Sequence, residues 1–265
     1  MSDSSPAINN LLSIMARLRD PDSGCAWDRK QTFKTILPYT LEEAYEVADA
    51  IEREDYVDLK DELGDLLLQV VFLSQIADEA GYFNFNDVAV GIADKLTRRH
   101  PHVFGDESYQ DEAAFKKAWE RAKQQERAEK SKDSATLADI PSCLPAMQKA
   151  FKIQKRVAAL GFDWSAVSQV WAKVDEEMAE LKQAVASSDS DAMQDEMGDV
   201  LFSLVNLARH LKINPEVALR GANNKFTSRF TAVEQAAAAK QKPLDEHSLE
   251  ELEALWQSVK ATEPN

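Results

Sequence analysis

Five carboxylates stand in a fixed pattern along this chain and then stand in it again. Glu42, Glu43, Glu46, Glu62 and Asp65 recur as Glu176, Glu177, Glu180, Glu196 and Asp199, and the shift is constant: 176 minus 42 and 199 minus 65 both give 134. The spacings within each set are i, i+3 and i, i+4. On a helix, "EEAYE" or "EEMAE" therefore presents its acids on one face, and the following Glu/Asp pair shares another. Two such helices can close on one cation.

A Glu-rich helical segment ordinarily means a solvated face. Here the second acid pair opens "ELGDLLLQVVFLSQIA" and "EMGDVLFSLVNLA", runs that are apolar almost all round and so read as buried helices. Like charges drawn towards an interior need a partner or a metal. Each half later supplies a Lys/Arg pair, Lys95 with Arg99 and Lys225 with Arg229 (225 minus 95 gives 130). A Trp/Lys pair follows, Trp119 with Lys123 and Trp256 with Lys260 (256 minus 119 gives 137). Mg²⁺ takes oxygen ligands and commonly keeps waters and substrate phosphates in its shell, and Mn²⁺ accepts a similar set. Acids for a metal, cations for phosphate charge and a Trp for a base together describe a nucleotide polyphosphate site.

The elements that must position these groups are helical. With only 8 Gly and 9 Pro in 265 residues, and long stretches rich in Ala, Glu, Leu, Lys and Gln, the chain is expected to be all-α. The first half reads as an amphipathic helix over 7–20 and an irregular "CAWDRKQTFKTILPYT". An acidic helix capped by Thr40 runs to about Arg53, a second continues to about Ala80 with Gly81 as its C-terminal glycine, and further helices cover 86–99 and 113–130. After a Ser-rich, proline-closed stretch the order repeats: an amphipathic helix over 146–160, "GFDW" matching "AWDR", two acidic helices separated by "ASSDSD", an Ala-rich tract and a last helix over 248–261. The expected organisation is a tandem duplication: a helical domain 1–128, a linker 129–145 and a second helical domain 146–265.

Composition excludes several functions. A net charge of -15 and a pI near 4.8 argue against nucleic acid and anionic membrane surfaces as partners, while a divalent cation could still bridge an anionic substrate to the acids. Cys25 and Cys143 make no disulfide framework, "MSDSSPAINN" has no signal-peptide pattern and the apolar runs are too short to span a membrane, so a cytoplasmic location is expected. No GxxxxGK[ST] loop is present, and none of His100, His102, His210 or His247 follows a Glu by three residues, as a di-iron bundle would need.

EExxE, a spacer and ExxD on apolar helices, preceded by a "WD" element, resemble the MazG family of all-α nucleoside triphosphate pyrophosphohydrolases, and the doubled order is similar to its two-domain bacterial members. The resemblance implies Mg²⁺-dependent hydrolysis of nucleoside triphosphates between the α- and β-phosphates, in dimers of helical bundles. Carried onto this chain, it makes Glu177, Glu180, Glu196 and Asp199 the metal ligands, with Glu43, Glu46, Glu62 and Asp65 their counterparts. Glu176 and Glu177 take the catalytic role, and Lys173, Asp195, Lys225, Arg229, Trp256 and Lys260 the substrate. Where the second half has Lys173, Asn206 and Arg209 the first has Tyr39, Phe72 and Gln75, which favours the C-terminal half as the main catalyst. Helices apolar all round also predict a homodimer. Two other readings fit the same residues: a non-catalytic nucleotide- or metal-binding module, and a pyrophosphohydrolase dedicated to one non-standard nucleotide.

Overall fold

The computed structural model describes residues 5–130, 136–240 and 242–262, and among them every regular element is helical. The chain divides into two compact units, Met1–Glu126 and Arg127–Asn265. Residues 131–135 of the expected linker lie outside the described residues. Its following stretch is tied down, since Arg156 donates to the Thr136 carbonyl at 3.0 Å and pairs with Asp139.

In the first unit α1 (Ser5–Leu18), α2 (Phe33–Glu52) and α3 (Tyr56–Glu79) surround a core of Met15, Ile36, Val71, Phe72 and Ile76. Next come α4 (Phe85–Arg99), the one-turn α5 (Pro101–Phe104) and α6 (Glu112–Lys130). Glu126 of α6 receives Arg98 and Arg99 of α4, and Trp119 lies under the Arg99 guanidinium at 5.3 Å. The second unit repeats the plan with α7 (Ala146–Ala158), α8 (Val167–Ser187) and α9 (Ser190–His210), followed by α10 (Pro215–Ala239) and α11 (Leu249–Thr262).

The duplication reaches the backbone. Each acidic helix pair is joined by one left-handed residue, Glu54 at φ 55° and Ser188 at φ 56°, followed by an aspartate cap, and 188 minus 54 is again 134. Asp55 Oδ1 accepts from the amides of Val57 and Asp58 at 3.1 and 3.0 Å, and Asp189 Oδ1 accepts from Asp191 and Ala192, both at 3.1 Å. These caps satisfy helix amides that otherwise lack a partner and set how α3 and α9 leave the turn. Gly81, at φ 72°, ends the α3 segment in the conformation expected of a C-terminal glycine.

Two expectations change. The first acidic helix begins at Phe33 with Thr32 as its cap, and Thr40 lies inside it, its hydroxyl donating to the Ile36 carbonyl at 3.2 Å. Pro38 in the second turn looks like a boundary in the sequence, yet the helix runs through it. The connection "ASSDSD" is also shorter than it reads, because Ala186 and Ser187 finish α8 and Ser190 already begins α9.

Candidate metal and nucleotide site

The two units build the same acidic cluster on the same helix pair. Glu177 of α8 meets Glu196 and Asp199 of α9 with one carboxylate oxygen from each lying within 4.8 Å of the others, and Glu43, Glu62 and Asp65 do the same on α2 and α3. Glu177 is only 6% exposed, Glu196 and Glu62 are half-buried, and Asp199 and Asp65 face outwards. The expected ligands Glu180 and Glu46 flank these triads. A hydrogen bond with Glu177, then burial and the charges of Glu177 and Glu196, push the Glu180 carboxyl above its ordinary value. Burial and the neighbouring charges raise Glu43, with Asp65 and then Glu46 the largest of those charges, and burial and Glu46 raise Glu62. Carboxyls crowded so that they resist ionising are what a divalent cation relieves.

Lys173, one turn before Glu177, bridges Glu176 at 2.8 Å and Glu177 at 2.7 Å, and both contacts raise its pKa. It stays a cation beside the cluster. Asp195 lies on an open groove with Asp191 and Gly198, and Asp199 borders both this groove and a deeper cavity.

That cavity is about 400 Å³ in volume. Ile153, Val157, Phe162, Trp164 and Phe202 supply apolar walls, with Lys173, Glu177 and Asp199 on the acidic side. Its polar members are interlocked. Arg209 Nε donates to Asn206 Oδ1 at 2.9 Å, and Arg209 and His210 both hold Asp163, the latter at 2.9 Å. Burial pulls the Asp163 carboxyl upwards, but the bonds from Arg209 and His210 outweigh it and leave it below its ordinary value. In the first unit Phe72 takes the place of Asn206 and packs into the core, and Arg19 lies 5.4 Å over its ring. Arg19 also grips Glu79 through two bonds of 2.8 and 2.6 Å.

The remaining expected substrate residues sit elsewhere in the second unit. Trp256 packs on a cluster of Val233, Ala237 and Leu255 between α10 and α11, 5.1 Å from the Phe226 ring, with Arg229 at 5.8 Å over its face. Neither Trp256 nor Lys225, Arg229 or Lys260 lines the cavity. Sequence reasoning missed Gln154, Ser203 and the roles of Asp163 and Trp164. One signal was present: Gln154 stands on the inward face of α7, in the second unit's counterpart of the helix where α1 buries Met15.

Comparison with known proteins agrees with this geometry. The chain matches the MazG nucleotide pyrophosphohydrolase domain twice, over residues 31–104 and 166–233, which brackets both acidic helix pairs. It is 53% identical to the nucleoside triphosphate pyrophosphohydrolase of Escherichia coli (strain K12), across 97% of this chain and 98% of that protein. It is 42% identical to the nucleoside triphosphate pyrophosphohydrolase/pyrophosphatase MazG of Thermotoga maritima, across 98% of both. A further relative, YabN of Bacillus subtilis, is 44% identical across 95% of this chain, which spans 51% of YabN. Two matches within one chain, on helices that carry the same acids in the same register, place this protein in the MazG nucleotide pyrophosphohydrolase family.

Proposed function

We propose that this protein is a Mg²⁺-dependent nucleoside triphosphate pyrophosphohydrolase, releasing pyrophosphate and the nucleoside monophosphate, with the C-terminal unit as its main catalyst. One observation carries the reading: in that unit a carboxylate triad and a bridging lysine border a largely apolar cavity. The donor set fits a hard cation, since it offers only oxygens and its acids crowd one another. Glu177, Glu180, Glu196 and Asp199 would hold it. When bound, Mg²⁺ (or Mn²⁺) neutralises phosphate charge and acidifies water.

The chain's own groups do the rest. Glu177, buried and fixed by Lys173, holds its carboxylate at one orientation. To Glu176, exposed one residue earlier, we assign the role of taking a proton from an attacking water. A phosphate arriving at the cluster competes with both carboxylates for Lys173, which exchanges an ion pair within the protein for one with substrate and frees Glu176 to act. Lys225, Arg229, Trp256 and Lys260 form a separate cation and aromatic patch on α10 and α11, and we assign them to the substrate through the family resemblance.

We also propose a homodimer. Within one chain α3 leaves Leu63, Leu67 and Val70 exposed, and α9 leaves Met197, Leu201 and Leu204 exposed, although the sequence pattern of both helices calls for burial on more than one side. No helix among the described residues is long and apolar enough to cross a membrane. The direct test is product analysis: mixed nucleoside triphosphates should yield pyrophosphate only with Mg²⁺ or Mn²⁺ present. Orthophosphate and the diphosphate as sole initial products would overturn the reading.

A further inference from the structure

Gln154 is 5% exposed, lines the cavity and is half satisfied. Its Nε2 donates to the Phe202 carbonyl at 2.8 Å, while its Oε1 is buried with no hydrogen-bond partner among the described residues. The orientation of the amide is settled by chemistry, because a backbone carbonyl only accepts and so must face the NH₂ group. That leaves an uncommitted acceptor on a side chain that lines the cavity, the oxygen itself being covered. Three neighbouring donor groups are directed elsewhere: Arg209 to Asn206 and Asp163, Lys173 to Glu176 and Glu177, and the Ser203 hydroxyl to the Val200 carbonyl at 2.9 Å. A buried acceptor without a donor is unfavourable, and a ligand that brings an N–H removes the deficit.

We infer that Gln154 reads the nucleobase, its side chain turning to uncover Oε1, which then accepts a hydrogen bond from an N–H on the base edge of a nucleoside triphosphate seated in the cavity. The inference rests on the pyrophosphohydrolase reading above and names which end of the substrate the cavity takes. Phe162, Trp164 and Phe202 offer the apolar faces that a flat ring system needs, and the volume falls in the ~300–1,000 Å³ range of small-molecule sites. The acids and Lys173 border the same cavity, so base and phosphates are held by one continuous site. Adenine, guanine, cytosine and uracil each carry an N–H on the pairing edge. A single acceptor therefore admits all of them, and rejects a ring that has no such donor.

The test compares ATP with purine riboside triphosphate, which lacks the 6-amino group and has no N–H on its pairing edge. Full-length protein and its Q154M and Q154L variants are assayed for pyrophosphate release with Mg²⁺, and each is melted to establish that it is folded. Methionine already fills a buried position in the corresponding helix α1, so Q154M is the variant expected to keep the fold. The native protein should prefer ATP over the analogue in kcat/KM by about tenfold, as one neutral hydrogen bond allows, and Q154M should bring that ratio close to one. An unchanged ratio in folded variants would overturn the inference, even if their melting temperatures fall, because a Gln154 that only ties α7 to α9 leaves base preference untouched. No pyrophosphate release by the native protein from any triphosphate would instead defeat the underlying functional reading.

Discussion

Phe72 and Asn206 occupy the same place on equivalent helices (206 minus 72 gives 134), and both are buried, yet one belongs to a core and the other to a polar network. Phe72 packs with Met15, Ile36 and Val71 beneath Arg19. Asn206 orients Arg209, which holds Asp163. A carbonyl-bearing side chain at that position opens a polar wall where an aromatic ring closes an apolar one.

Truncation at the two positions should accordingly have opposite signatures. Phe72→Ala removes a buried ring and should destabilise the protein by ~3–5 kcal/mol, with little direct effect on turnover. Asn206→Ala should lower kcat/KM more than it lowers stability, since it releases Arg209 at the cavity. Denaturant melts and initial rates on both variants separate the two roles, and equal loss of activity from each would contradict the assignment of the C-terminal unit as main catalyst.

The acids give a second comparison. Glu196→Gln or Asp199→Asn should reduce triphosphate hydrolysis by at least ~100-fold, the upper end of what is lost when a group merely supporting a ligand is removed. Glu62→Gln and Asp65→Asn should leave most of it. Melting temperatures without metal should hold or rise in all four, because each substitution relieves repulsion within a crowded cluster. A clear fall would mean that buried hydrogen bonds, not a cation, account for these acids.

Mg²⁺ should raise the melting temperature at neutral pH, by the equivalent of ~2.7 kcal/mol at a hundred times its dissociation constant. Glu43, Glu62 and Glu180 all have raised pKa values, so protons compete with the metal at higher pH than for free carboxylates. The Mg²⁺-induced shift should therefore be larger at pH 7.5 than at pH 5. A shift independent of pH, or one retained when Glu62→Gln and Glu196→Gln are combined, would argue against binding at the triads.

Acid stability has an anchor outside the site. Arg99, then Arg98, hold the Glu126 carboxyl at about 2 against an ordinary 4.5. A depressed carboxyl pKa stabilises the fold above 4.5 and loses that contribution as pH falls towards 2. Melts of the native protein and Glu126→Gln should thus differ at pH 6, with the gap narrowing below pH 4.5 and closing only near pH 2.

Light scattering at micromolar concentration should give about twice the 29.6 kDa chain mass. Leu201→Glu, on the exposed side of α9, is expected to shift it towards the monomer. A native mass near that of one chain would contradict the proposed dimer.

Helical periodicity and the 134-residue register are local facts, and the chain's letters carry them in full. From these alone the all-α class, the duplication, the helix pairs that bear the acids and their oxygen-only donors were legible, because i, i+3 and i, i+4 spacing decides which side chains share a face before any packing occurs. Thr40 shows the limit even at short range: its spacing to Glu43 reads as a cap, yet it lies inside the helix and the cap is Thr32. What periodicity cannot carry is distance between helices. Packing of α8 on α9 decides that Glu177, Glu196 and Asp199 converge while Glu180 flanks them, and that Trp256 with Arg229 belongs to an α10–α11 cluster rather than to the cavity wall. Packing of α7 on α9 likewise gives Gln154 its significance. On the sequence it is one polar residue on an apolar face; in the fold the Phe202 carbonyl takes its donor and leaves its acceptor without a partner among the described residues.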